Sequence, residues 1–276
     1  MNEDDIEFKG SVQETMLGPL WARATFSRKY PELLNDQKSI EIIQNLDYDF
    51  SKIAEYLEEW RGLALLARAN SFDKAVRKYI EKKPNATIVN IGAGLDTTYY
   101  RIDNGKIKWY DLDLPDAIDF RRKFLSETSR NKFISKSAFD LNWFEDIEFT
   151  QEDGIFFIAG GFIYYYQEIE ISSLIDAMAQ HFIEGELIFD CISKMAMKIG
   201  NRRLKKIGVD GPFWQFSISD PDEQIPKWSE KIQIIDCFGI WTRTPLNPAW
   251  DKSTLKMIKI TRRLKTGKIV QIKFTK

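Results

Sequence analysis

The segment IVNIGAGLDTTYYRID, at residues 88–103, constrains the fold of this chain more than any other stretch. It begins with a short β-branched run between Pro84 and Gly92, which is typical of a buried strand. Gly92 and Gly94 then end the run. After a parallel strand, such a turn lets the backbone approach a ligand that a Cβ atom would hold away. The segment therefore predicts an α/β fold with a ligand at this turn.

The rest of the chain agrees with an α/β fold. Helical periodicity extends from residue 11 to about residue 83, and short apolar runs alternate with helical patterns from there on. We predict a Rossmann-like, doubly wound, mostly parallel sheet of seven strands, at 84–276 with an insertion at about 193–230, and an N-terminal helical cap at 1–83. The segment 253–267 is compatible with a helix or a strand. The strands are expected near residues 86–91, 107–112, 131–135, 154–159, 186–191, 231–236 and 268–275.

Charge and composition narrow the function classes. Forty basic and forty-one acidic residues leave a formal net charge of −1, so we expect no nucleic-acid partner. The acidic N-terminus lacks an apolar signal region and no apolar stretch is long enough for a membrane span, so a cytoplasmic protein without membrane attachment is expected. The two cysteines, Cys191 and Cys237, have no metal-binding or disulfide spacing and are expected to be core thiols.

The second predicted strand indicates which ligand the turn binds. It reads KWYDLDLPD at residues 108–116, and Asp113 follows Gly94 at close to the ~20-residue offset of an acidic residue that binds a ribose. A dinucleotide would require a third small residue, where this chain has Thr97. Leu95 and Asp96 also oppose a diphosphate at this position. An adenosyl ligand without phosphate remains, and we predict S-adenosylmethionine.

These motifs resemble a known family. The segments IVNIGAGLDTTYYRI and WYDLDLPD resemble the signature of the leucine carboxyl methyltransferase family, which includes bacterial polyketide O-methyltransferases. Similarity continues through SAFDLNW at 137–143, FIAGGFIYYYQEIEISSLI at 157–175 and GELIFDCIS at 185–193, and thus covers most of residues 50–236. The resemblance implies a class I methyltransferase fold, S-adenosylmethionine as cofactor and methyl transfer to oxygen.

The resemblance also implies roles for individual residues. Arg68 matches the arginine that holds the methionine carboxylate, and Asp113 matches the ribose ligand, with Asp111 at the second acidic position. Gly92-Ala93-Gly94 matches the turn against the methionine portion. Asp140-Leu141 matches the pair that faces the adenine, and Gly160 stands where many members carry a glutamate. The missing glutamate keeps a non-catalytic S-adenosylmethionine-binding protein open as an alternative.

The acceptor site is expected under the cap. Trp21 and Arg23 in the N-terminal helices, and Tyr164 and Tyr165 after the fourth strand, are the candidate substrate contacts. We expect a small-molecule carboxylate or hydroxyl as acceptor, with a protein C-terminal carboxylate as the alternative. Methyl transfer from an activated donor needs no catalytic triad, and the sequence indicates no catalytic residue and no metal ligand. His181 is expected to be structural.

Overall fold

A seven-stranded sheet forms the centre of the molecule. The computed structural model describes residues 12–206 and 213–276, with side chains from Thr15 onward. The sheet order is β3-β2-β1-β4-β5-β7-β6, with β7 antiparallel to both neighbours and the other pairs parallel. The predicted Rossmann-like fold is therefore confirmed. The strands are β1 Thr87–Ile91, β2 Lys108–Asp113, β3 Asn131–Ser135, β4 Ile155–Ala159, β5 Glu186–Ile192, β6 Ile232–Gly239 and β7 Gly267–Phe274.

Helices cover both faces of the sheet, and every residue of β1 and β4 is buried, as expected for central parallel strands. The segment after residue 251, which could be read as helix or strand, is helical. The α-helices among the described residues are α1 Val12–Lys29, α2 Gln37–Gln44, α3 Ser51–Lys82, α4 Thr98–Ile102, α5 Pro115–Arg122, α6 Glu168–His181, α7 Lys194–Lys206, α8 Pro221–Gln224 and α9 Lys252–Arg263. None of the helices in this part of the chain is long and apolar enough to cross a membrane.

Three helices precede the sheet, in the region where the sequence predicts a helical layer. The chain breaks after α1 because Asp36 caps α2, its carboxylate accepting a 3.0 Å hydrogen bond from the Ser39 amide. Helix α3 is kinked at Glu58, whose φ of 50° is non-helical. Gly62 allows α1 and α3 to approach, because a Cβ there would overlap the Phe26 ring.

A buried ionic cluster joins these helices to the turn after β1. The carboxylate of Asp36 accepts hydrogen bonds from Arg23 Nε at 3.0 Å, Arg101 Nη1 at 2.7 Å and Thr97 Oγ1 at 2.6 Å. Arg101 also forms a bidentate pair with Asp73 of α3. Arg23 and Asp36 precede the sheet, whereas Thr97 and Arg101 follow the glycine turn. The cluster therefore fixes the helical cap over the end of β1.

Candidate functional site

A cavity of about 310 Å³ lies between the cap and the carboxyl ends of β1 and β4. The strand order reverses between these two strands, which is where open α/β sheets bind their ligands. The predicted site residues that line it are Arg23, Arg68, Gly92, Ala93, Gly94, Gly160, Tyr164 and Tyr165. Trp21, Asp111, Asp113, Asp140 and Leu141 lie outside its lining.

The glycine turn requires the absence of side chains. Gly92 and Gly94 have φ values of +67° and +46°, in the left-handed region that favours glycine. A Cβ at Gly92 would lie 2.7 Å from the Phe162 ring, and one at Gly94 would lie 2.9 Å from Met16. The turn therefore presents bare backbone to the cavity.

Asp113 stands at the end of β2, directly beside this turn. Its Oδ2 accepts a 2.7 Å hydrogen bond from the Gly94 amide, and its Oδ1 accepts a 2.8 Å bond from the Leu114 amide. The side chain is half-buried, and burial raises the pKa of its carboxyl group. A carboxylate has about four acceptor positions, so both oxygens retain capacity for the two hydroxyls of a ribose.

Asp111, the other predicted acidic ligand, has a structural environment instead. It is 1% exposed, and its Oδ2 pairs with Arg121 Nη2 at 2.6 Å. Its Oδ1 accepts hydrogen bonds from the Trp109 indole at 2.9 Å and the Asn90 amide at 3.2 Å. Both carboxylate oxygens of Asp111 are therefore engaged within the core, whereas Asp113, two residues further along the same side of β2, borders the glycine turn.

Arg68 projects from α3 into the cavity. Its Nη1 donates to Asp190 Oδ2 at 3.1 Å and to the Tyr164 hydroxyl at 3.3 Å. Burial lowers the pKa of the guanidinium, but the Asp190 carboxylate outweighs burial and the pKa is raised. Among the described residues no acceptor contacts Nε or Nη2, so this half of the guanidinium is available to an anion.

The loop after β4 is closely packed at the glycine pair. A Cβ at Gly160 would lie 2.8 Å from the Phe72 ring, and one at Gly161 would lie 2.9 Å from Arg68 Nη1. Gly161 also has a φ of +75°, and its amide donates a 2.6 Å hydrogen bond to Asp190 Oδ1. The position that carries glutamate in many family members therefore has no room for a side chain here.

Asp140 and Leu141 are exposed and lie beyond the cavity. Asp140 caps a short 3₁₀ turn at 141–146 by accepting a 3.2 Å hydrogen bond from the Asn142 amide. The neighbouring Phe139 ring stacks on Phe162 at a centroid distance of 6.1 Å, and Phe162 in turn contacts the glycine turn. The aromatic surface of Phe139 and Phe162 thus connects this pair with the glycine turn.

The two predicted cap contacts differ in their surroundings. Trp21 packs edge-on against Phe26, with ring centroids 5.8 Å apart, inside the cap. Arg23 borders the cavity but is only 4% exposed. Its Nε donates to Asp36, and its Nη2 donates to the Leu95 carbonyl at 2.8 Å. Its hydrogen bonds therefore hold the cap against the turn.

The sequence did not reveal several cavity-lining residues. Tyr56 and Leu57 come from the amino-terminal part of α3, Leu204 from α7 and Trp214 from the segment that follows the undescribed residues 207–212. This segment packs against the loop after β4, where the Gln215 amide donates a 2.7 Å hydrogen bond to the Tyr164 carbonyl. Asp190 was also missed, although an acidic residue in the apolar strand IFDC is a visible signal.

The remaining metal-binding and nucleophilic residue types form no second site in the described part of the chain. No group of three or more His, Cys, Asp or Glu side chains there could hold a metal ion. His181 lies at the surface end of α6 and packs against Phe144 at a centroid distance of 4.9 Å. Both cysteines are free thiols, and burial raises the pKa of Cys191.

Comparison with known proteins decides the family. The model for "Leucine carboxyl methyltransferase" matches residues 17–179, more than half of the chain. This protein belongs to the leucine carboxyl methyltransferase family. The resemblance noted in the sequence is thereby confirmed, and the chain is an S-adenosylmethionine-dependent methyltransferase by family.

Curated relatives and solved structures agree with this membership. The tetracenomycin polyketide synthesis O-methyltransferase TcmP of Streptomyces glaucescens is 26% identical over 231 residues, which are 82% of this chain and 84% of the relative. The S-adenosyl-L-methionine-dependent methyltransferase dpfgK of Gibberella zeae is 23% identical, over 81% of this chain and 83% of its own. A candidate methyltransferase of Thermobifida fusca shares the fold with a TM-score of 0.62 at 13% identity, over 98% of this chain and 97% of that structure.

The cofactor of this family member is S-adenosylmethionine, and the residues around the cavity suit it. The turn at Gly92 and Gly94 offers close backbone approach, and Asp113 offers acceptors at its side. The available half of the Arg68 guanidinium can pair with a carboxylate.

Proposed function

We propose that this methyltransferase transfers the methyl group of S-adenosylmethionine to an oxygen atom, carboxylate or hydroxyl, of a small molecule. The observation that carries the proposal is that a single cavity has two chemically different walls. One wall consists of the glycine turn and Arg68, and the other is aromatic and apolar, with Tyr56, Leu57 and Trp214. The description of the relative TcmP as an O-methyltransferase supports oxygen as the acceptor atom.

In this proposal, the cofactor lies along the turn after β1. Arg68 pairs with its methionine carboxylate, Gly92, Ala93 and Gly94 lie against the methionine portion, and Asp113 accepts the ribose hydroxyls. Asp140 and Leu141 face the adenine from the aromatic surface at Phe139, and Gly160 borders the methionine portion beside Phe72.

The chemistry requires alignment rather than a catalytic triad. When bound, S-adenosylmethionine supplies an activated sulfonium methyl group for in-line displacement. The residues of the chain hold the acceptor oxygen against that methyl group, and the cap excludes water. Tyr164 and Tyr165 border the meeting point of the two walls, Tyr164 through its bond with Arg68 and Tyr165 beside Trp214.

The charge states in the cavity favour a carboxylate acceptor. Burial raises the pKa of Tyr56, Tyr164 and Tyr165, so these phenols are neutral donors at pH 7 rather than bases. Burial alone would raise the pKa of the Asp96 carboxyl group, but the charges of Arg23 and Arg101 outweigh burial, and the pKa is lowered. This carboxylate is therefore a weak base. A carboxylate acceptor is already ionised and needs no proton removed, whereas a hydroxyl does.

Calorimetric titration with S-adenosylmethionine and S-adenosylhomocysteine, with NAD as control, is the first test. Saturable binding of the two adenosyl ligands, followed by methyl transfer from labelled cofactor to a panel of aryl and alkyl carboxylic acids and phenols, is the expected result. Binding without transfer to any acceptor would favour a non-catalytic binding protein. Transfer only to peptides with a free C-terminal carboxylate would favour a protein carboxyl methyltransferase.

A further inference from the structure

Asp190, at the carboxyl end of β5, bonds to three groups of the cavity wall. Its Oδ1 accepts the Gly161 amide at 2.6 Å, and its Oδ2 accepts Arg68 Nη1 at 3.1 Å. The Tyr164 hydroxyl lies 3.5 Å from the same Oδ2. The residue is only 3% exposed and does not line the cavity itself. It can therefore act on a ligand only through the groups that it holds.

The same wall lacks a carboxylate at residue 160. A side chain there would collide with Phe72, because even a Cβ would lie 2.8 Å from that ring. Phe72 is buried and packs with the neighbouring core, so the ring has little freedom to move. Asp190 thus brings a negative charge to the loop 160–161 from the adjacent strand rather than from the loop itself.

We propose that Asp190 is the positioning residue for the amino-acid portion of the cofactor. It fixes the Arg68 guanidinium by binding one nitrogen, so that Nε and Nη2 face the cavity in one orientation. It fixes the loop backbone by binding the Gly161 amide. The inference rests on the proposed function, because it assigns Arg68 to the methionine carboxylate.

Charge balance supports the same assignment. Methionine in the cofactor carries both a carboxylate and an ammonium group. An isolated buried arginine would favour any anion, whereas the Arg68–Asp190 pair is neutral overall and directional. Because the pair carries no net charge, it does not attract every anion. It binds a carboxylate only through the directed hydrogen bonds of the free guanidinium nitrogens, which favours a zwitterion of the right geometry over a simple anion.

The test compares two ligands that differ only in this portion. S-adenosylhomocysteine carries the amino-acid group, and 5′-methylthioadenosine lacks it. For the full chain with Asp190→Asn, we expect affinity for S-adenosylhomocysteine to fall about tenfold, and affinity for 5′-methylthioadenosine to stay within about twofold. Asp103→Asn is the matched control: it removes a bidentate pair with Arg130 at the opposite edge of the sheet and should change neither affinity.

A double-mutant cycle separates positioning from general destabilisation. Because Asp190 acts through Arg68, Arg68→Gln combined with Asp190→Asn should bind S-adenosylhomocysteine about as weakly as Arg68→Gln alone. If Asp190→Asn does not fold, Asp190→Glu keeps the charge, moves it by one methylene and should show the same ligand selectivity.

The outcomes are distinguishable. Equal loss of both ligands in folded Asp190→Asn, or unchanged affinity for S-adenosylhomocysteine, overturns the role of Asp190 and leaves the proposed function intact. Additive losses in the cycle likewise overturn it. A wild-type chain that binds neither ligand overturns the proposed function, and the assignment of Asp190 with it.

Discussion

The Gly94 amide donates a 2.7 Å hydrogen bond to the carboxylate of Asp113, nineteen residues further along the chain. This bond connects the turn after β1 with the end of β2. The position of the proposed ribose ligand Asp113 is therefore coupled to that of the backbone that approaches the methionine portion, and the two form one unit. A change at either residue should affect both parts of the cofactor site.

Replacing Asp113 by alanine tests this unit. Asp113→Ala removes the ribose acceptors and the partner of the Gly94 amide, so affinity for S-adenosylhomocysteine should fall by more than about tenfold. Unlike Asp190→Asn, this variant should weaken 5′-methylthioadenosine equally, because both ligands contain the ribose. Calorimetry provides the measurement. Asp116→Ala, an exposed position in the first turn of α5, is the control, and normal binding by Asp113→Ala would disprove the ribose assignment.

Two glycines with similar backbone conformations separate conformational strain from close contact. Gly92 and Gly105 have φ values of +67° and +80°, but a Cβ at Gly92 would meet Phe162 at 2.7 Å, whereas nothing lies within 4 Å of one at Gly105. We expect Gly105→Ala to cost about 1 kcal/mol of unfolding free energy, and Gly92→Ala about 2 kcal/mol or more. Denaturant titration measures both. Only Gly92→Ala should also weaken cofactor binding, and equal effects of the two changes would contradict the contact.

Local signals in the sequence predicted much of the fold and the centre of the site. The seven strands and the ligand turn were visible because β-branched runs and glycines act over a few residues, and Asp113 was visible because its offset from Gly94 is set by one strand-helix-strand unit. Asp111 and Asp113 lie two residues apart on the same side of β2, and no local pattern indicates that Arg121 pairs with Asp111 in the core.

Contacts between distant segments could not be predicted. Arg68 and Asp190 are 122 residues apart, and no local pattern indicates that they pair. The partners of Arg23, which are Asp36 and the Leu95 carbonyl, are likewise distant in the sequence. Within the predicted helical layer, apolar periodicity does not reveal a cap such as Asp36 or a kink such as that at Glu58. Such features depend on tertiary packing.

Asp36 should contribute a pH-dependent part of the stability. Burial would raise the pKa of its carboxyl group, but Arg101 and Arg23 outweigh burial and lower it from 3.8 to about 2. A depressed folded-state pKa stabilises the fold above the unfolded value, and this contribution of about 2 kcal/mol is lost as pH falls from about 4 to 2.

The variant Asp36→Asn isolates this contribution. We expect it to lower the free energy of unfolding by about 3 kcal/mol at pH 7, because a buried charge pair loses one partner. The difference from wild type should shrink below pH 4, which urea unfolding at several pH values measures. Asp119→Asn, with a 75% exposed side chain on α5, is the control. A difference that stays constant down to pH 2 would show that the charge of Asp36 does not matter.

Trp214 should separate acceptor binding from cofactor binding. Its ring lines the cavity and packs edge-on against Tyr164 at a centroid distance of 5.3 Å, on the aromatic wall. Trp214→Ala removes aromatic contact area worth about 1 to 3 kcal/mol, so the KM for the acceptor should rise about tenfold or more. Affinity for S-adenosylhomocysteine should change less than about twofold. Phe213→Ala alters the neighbouring ring, which lies under Lys205 outside the cavity lining, and should leave both values unchanged. If Trp214→Ala instead weakens S-adenosylhomocysteine and leaves the acceptor KM unchanged, the aromatic wall belongs to the cofactor and the acceptor must enter from another side.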